Sequence, residues 1–188
     1  MRTFVLITAL LAACSSRPAL AAQQLAVKRE TATVQRDVRA MSDALFKGDS
    51  DTLVRYTFPS IVEAWGGAAA FAKVYAGVAA TQTKLGIQRE SITFPTPPEF
   101  IEGKNGRWFV LVSSRTVVFG NGGRGAANGF HLGVKEPGAK QWKYIPGQFI
   151  NPERLPSLLP DFPARHPLPP QSNEKLPPRD SSSKPETR

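Results

Sequence analysis

At 188 residues, with 41% hydrophobic residues and a formal charge of +9, the chain is long enough for one domain with a sizeable core and additional terminal segments. Its single cysteine, Cys14, excludes an internal disulfide, so packing must hold the fold. The cations are scattered, from Lys28-Arg29 through Arg55 and Lys84 to Arg107, with no run of five and no interleaved aromatics; this argues for a solvated basic surface and against nucleic acid as a partner.

The chain opens with Met1-Arg2, an uncharged run from Thr3 to Ala13, Cys14, and then Ala19-Leu20-Ala21-Ala22. A basic start, an apolar stretch too short to span a bilayer and small residues at its exit form the pattern of an export signal over residues 1–21. Two cleavages stay open. Leu11-Ala12-Ala13-Cys14 resembles a bacterial lipobox, which would make residues 1–13 the signal and Cys14 the lipid-bearing first residue. Ala19-Leu20-Ala21 resembles an ordinary signal-peptidase site, which would remove the cysteine. The expected location is the periplasm or, if Cys14 is acylated, the outer membrane of a Gram-negative bacterium, with secretion as the alternative. Membrane attachment would run only through that lipid.

Val34, Val38, Met41 and Leu45 recur at steps of four, three and four, which predicts an amphipathic helix over residues 30–47 with Gly48 as its stop. Asp49 or Ser50 can cap a second helix that carries Leu53, Val54 and Tyr56 inward and stops before Phe58-Pro59. A turn over residues 60–64 breaks at Gly66-Gly67, and a third long helix follows over residues 68–85, with Phe71, Val74, Tyr75 and Val78 near one stripe.

The remainder reads as sheet. A strand over residues 87–94 ends at Pro95-Thr96-Pro97-Pro98, and residues 100–102 and 107–119 flank a Gly103-Lys104-Asn105-Gly106 hairpin. A second hairpin turns at Gly120-Asn121-Gly122-Gly123 into residues 126–134, and a third at Pro137-Gly138 into residues 141–145. Asn151-Pro152-Glu153 opens a short helix to Leu159. The domain over residues 30–162 is therefore expected to be α+β, with N-terminal helices packed on a curved antiparallel sheet and a short C-terminal helix. From Pro163 to Arg188 seven of 26 residues are proline and few side chains are apolar, which predicts a disordered tail acting as a spacer.

Helices feeding an antiparallel meander, with the Ala44-Leu45-Phe46-Lys47-Gly48-Asp49 segment, the Tyr56-Thr57-Phe58-Pro59 turn, the Gly66-Gly67 break and the Trp142-Lys143-Tyr144-Ile145 strand, resemble the nuclear-transport-factor-2-like superfamily. This superfamily is also called SnoaL-like or ketosteroid-isomerase-like, and the likeness is to its bacterial exported members. It covers residues 31–163 and implies a cone around a pocket. Enzymes of this kind commonly place an aspartate, histidine or tyrosine inside that pocket.

A regular second hairpin sets Phe119 beside Ala126 and Arg115 beside Phe130. One face then carries Phe109, Leu111, Arg115 and Val117 with Phe130 and Leu132; the other carries Trp108, Val110, Val112 and Ser114 with His131. The phenylalanine-rich face is assigned to the cone interior, and the other to a helix-free convex surface able to support a homodimer. Arg115 becomes the main ligand-binding candidate, because an arginine in a core needs an anionic partner; the competing partner is an internal acid such as Glu63. Tyr56, Trp65 and Phe130 are the further ligand-binding candidates, as aromatic lining of a cone mouth. His131 is the one catalytic candidate, and it lacks a neighbouring acid in the strand pattern. No metal-ligand spacing, serine-nucleophile elbow or cofactor motif is present, and Gly120–Gly125 lacks the context of a phosphate loop. The expectation is a non-catalytic exported domain that binds a small amphipathic molecule or an envelope protein. The alternatives are a SnoaL-like isomerase, dehydratase or cyclase, and a protein-interaction module using the sheet or the proline-rich tail.

Overall fold

The computed structural model describes the backbone of residues 17–178 and the side chains of residues 27–178. Cys14 and most of the expected export signal lie outside the described residues, as do residues 179–188. The chain divides into two units, Met1–Thr33 and Val34–Arg188. Within the first, the described residues are helical. Everything below concerns the second.

The class is α+β. Helices α1 (Arg17–Lys47), α2 (Ser50–Tyr56), α3 (Pro59–Ala64) and α4 (Ala68–Lys84) precede strands β1 (Gln88–Thr93), β2 (Glu99–Glu102), β3 (Trp108–Gly120), β4 (Gly123–Lys135) and β5 (Lys143–Pro146); helix α5 (Leu155–Leu158) and strand β6 (Ser172–Leu176) follow. Helix α1 starts earlier than its apolar stripe because Ala19, Ala21, Ala22 and Ala26 favour helix without any packing. Its stripe of Val34, Val38, Met41 and Ala44 is buried, and it ends where Gly48 takes φ +71°. Asp49 caps α2 by accepting a hydrogen bond from the Thr52 amide at 3.0 Å. Phe58, held extended by Pro59, separates α2 from α3, and Gly66 and Gly67 turn the chain into α4 with φ of 90° and 89°.

The six strands form one antiparallel sheet that does not close. Strands β3 and β4 are central; β1 and β2 share the outer edge of β3, and β5 and β6 that of β4. The β3–β4 hairpin turns on Asn121-Gly122 alone, so Phe119 pairs with Arg124 and Arg115 with Asn128, two residues from the expected register. A slip of two keeps every side chain on its expected face.

The faces themselves are exchanged relative to expectation. The helices cover the side carrying Val110, Val112, Ser114, Gly133 and Tyr144, and Tyr144 Oη donates to Asp37 of α1 at 3.1 Å. A Cβ at Gly133 would lie 2.6 Å from Val110 Cγ1 and 3.0 Å from the Tyr144 ring, its two cross-strand neighbours, so any larger side chain here would crowd the side chains packed around it on the sheet. Beneath the phenylalanine-rich face runs the C-terminal segment: Phe109 meets Phe162 edge-on at 5.2 Å, and Leu159 is buried. Both faces are apolar enough to be covered, and the helices take the one with the smaller side chains, where backbones can approach. The surface assigned to a homodimer is therefore the one under the helices.

Within the expected disordered tail one stretch is ordered, while its last ten residues lie outside the described ones. Ser172–Leu176 forms β6, antiparallel to residues Arg124–Asn128 of β4. Its side chains are almost all exposed, so it buries little apolar surface; main-chain pairing, the Arg115–Glu174 ion pair and a 3.1 Å hydrogen bond from Asn128 to Ser172 hold it. A composition argument counts side-chain burial, and an edge strand can form without it. Among the described residues, no helix is long and apolar enough to cross a membrane.

Candidate functional site

Between α1, α2 and α4 on one side and strands β3 and β4 on the other lies a cavity of about 670 Å³. Its origin is the position of α4, which packs on α2 and α3 through Phe71, its one buried side chain, and stands off the sheet. Val74 and Val78 line the cavity from α4 yet remain 43% and 38% exposed, so the mouth opens along this helix. Met41 and Leu45 from α1 and Ile92 from β1 add apolar wall; Ser114, Thr116 and Gln148 add polar groups. Opposite the mouth, Gln171–Asn173 at the start of β6 closes the gap between β5 and β6 on the edge of β4.

Three of the sequence candidates meet here. Trp65 lines the cavity within an aromatic cluster, its ring centroid 5.9 Å from Phe71, 6.3 Å from Tyr75 and 5.4 Å from Phe149. Phe130 borders it beside Gly147, where a Cβ would lie 2.7 Å from the phenylalanine ring. His131, expected on a convex surface, instead lines the cavity because its face is the helix-covered one. Its Nδ1 is buried without a hydrogen-bond partner, and burial pushes its pKa from 6.5 down to about 4. Ser114 sits diagonally across on the same face, since Val112 is the residue directly opposite His131.

Two candidates lie elsewhere. Tyr56 packs 6.3 Å from Tyr144, under the Arg55 guanidinium, and does not reach the cavity. Arg115 projects from the sheet face away from the helices, is 34% exposed, and pairs with Glu174 of β6. Its expected partner Glu63 is exposed on α3. The premise that Arg115 lies in a core fails with the face exchange, and with it the case for an anion site there.

Sequence reasoning did not single out Asp37 and Tyr144, which the structure pairs. Asp37 is 4% exposed and accepts hydrogen bonds from Tyr144 at 3.1 Å and from Arg36 at 3.2 Å. Its position between Val34 and Val38 on the buried stripe was the available signal, since an acid there must find a donor. Tyr144 also faces His131, edge to face at 6.5 Å, but Asp37 bonds to the phenol and not to the imidazole. His131 therefore lacks the carboxylate that would raise its basicity, and near neutral pH it is an uncharged imidazole able to donate or accept one hydrogen bond. Among the described residues, no cluster of three or more His, Cys, Asp or Glu side chains is arranged to hold a metal ion.

Comparison with protein-family models, with curated proteins and with solved structures finds no match to this chain.

Proposed function

We propose that this protein is an exported, non-catalytic binding domain of cone-like, SnoaL-like architecture that holds a small amphipathic molecule between its helices and its sheet. The observation that carries this reading is the cavity of about 670 Å³ itself, walled by Met41, Leu45, Val74, Val78 and Ile92 together with uncharged polar side chains such as Ser114 and Thr116. That volume falls within the range of small-molecule sites, and such sites characteristically combine an apolar lining with a few convergent polar groups.

A SnoaL-like isomerase or dehydratase is favoured only by the presence of His131 in the cavity. Such chemistry requires a group that takes up a proton near neutral pH, and a histidine titrating at about 4 without a carboxylate partner is a weak base. Export follows from the signal-like pattern over residues 1–21, and intact mass of the mature protein distinguishes a lipid-bearing Cys14 from a start at Ala22.

The test is a fluorescence titration of the full chain with N-phenyl-1-naphthylamine, an uncharged apolar dye. Saturable binding of one dye per chain is expected, and it should be lost in Val78→Trp, which fills the mouth from an exposed helical position. Absence of saturable binding, or binding unchanged in Val78→Trp, contradicts the reading.

A further inference from the structure

We infer that the molecule held in this cavity is electrically neutral, an apolar body bearing one hydrogen-bonding group, with the chemistry of a long-chain alcohol or ketone and not that of a carboxylate, phosphate or amine. This deepens the binding reading above and rests on it. In a chain whose residues are 21% charged, no Asp, Glu, Lys or Arg among the described residues lines the cavity. The polar lining is made of uncharged groups, among them the hydroxyls of Ser42, Ser114 and Thr116, the amides of Asn128 and Gln148, and the imidazole of His131. The arginine that the sequence placed beside this site faces the other side of the sheet and is committed to Glu174.

The two titratable side chains that line the cavity, Tyr75 and His131, are both driven by burial toward their neutral forms, the phenol upward and the imidazole downward. The lining therefore supplies no countercharge across the ordinary pH range. A ligand carboxylate or ammonium entering it would lose hydration without gaining an ion pair, which disfavours the charged species strongly. A hydroxyl or carbonyl loses far less and can recover that loss at the Ser114 or Thr116 hydroxyl. The +9 charge of the chain draws anions toward the surface, but that attraction is screened beyond a Debye length of about 8 Å at physiological salt.

The experiment measures displacement of N-phenyl-1-naphthylamine from the full chain at pH 8 and physiological salt by 1-decanol and by decanoate, which share an alkyl chain and differ in charge. Decanol is expected to displace the dye at a concentration at least tenfold lower than decanoate. Thr116→Lys, which adds a cation to the wall, should reduce or reverse that preference. A wild-type ratio below tenfold, or a ratio unchanged in a Thr116→Lys protein that still binds dye, overturns neutrality and leaves the cavity reading standing. Failure of the dye to bind the wild type at all removes the cavity reading, and this inference with it.

Discussion

Replacing His131 by Phe keeps the edge-on contact with Tyr144 while deleting the one titratable group on the sheet side of the cavity. In the folded protein His131 titrates at about 4, against an ordinary value of 6.5 in the unfolded chain. The unfolded state therefore takes up this proton first, so the contribution to stability is intact above about pH 6.5 and falls as pH drops toward about 4. At about 1.4 kcal/mol per unit, the wild type should lose about 2–2.5 kcal/mol through this group between pH 7 and pH 4.5. His131→Phe should not lose that increment, although both proteins share every other ionisable group. Urea unfolding of the two proteins at both pH values isolates the term as a double difference. The variant should also be more stable at pH 7 by about 1–3 kcal/mol, since it no longer buries an unpaired nitrogen. Equal pH dependence in the two proteins would refute the reasoning, because it would mean that His131 is solvated when folded.

Four further outcomes follow from the packing. Tyr144→Phe removes a donor from the buried carboxyl of Asp37 and should cost about 1.5–3 kcal/mol in urea unfolding. Gly133→Ala forces a methyl to within 2.6 Å of Val110 Cγ1 and should cost about 1–3 kcal/mol by the same measurement; a neutral substitution would show that the side chains on this sheet face give way to it. Truncation after Pro170 strips β6 from the Arg124–Asn128 edge of β4 and should shift the protein toward self-association, read by light scattering across a concentration series. Glu174→Gln leaves the main-chain pairing in place and should change stability by less than about 1 kcal/mol, the usual worth of a partly exposed ion pair.

Local signals in the sequence are carried by physics that acts over a few residues, and these correspond to the structure closely. The helical stripe ending at Gly48, the Asp49 cap, the Phe58-Pro59 break and the Gly66-Gly67 turn each reflect backbone geometry or a neighbouring side chain. Both faces of β3 and β4 were also readable, because alternation survives a register slip of two. The choice between those faces was not, since Phe109 and Leu111 on one and Val110 and Val112 on the other are all buried. That choice moved His131 into the cavity and Arg115 out of it. Strand β6 escaped for another reason: its stability comes from pairing with a distant edge, which a polar, proline-flanked segment does not announce.

The central claim is that a neutral molecule enters the space between the helices and the sheet and meets His131. Nitrogen-15 spectra of the histidine side chains, recorded on the full chain during titration with 1-decanol, test it most directly. The account predicts that the Nδ1 and Nε2 signals of His131, which lines the cavity, shift saturably as the ligand packs against its ring, while those of His166 stay in place. Saturable binding that leaves the His131 signals unmoved would contradict it.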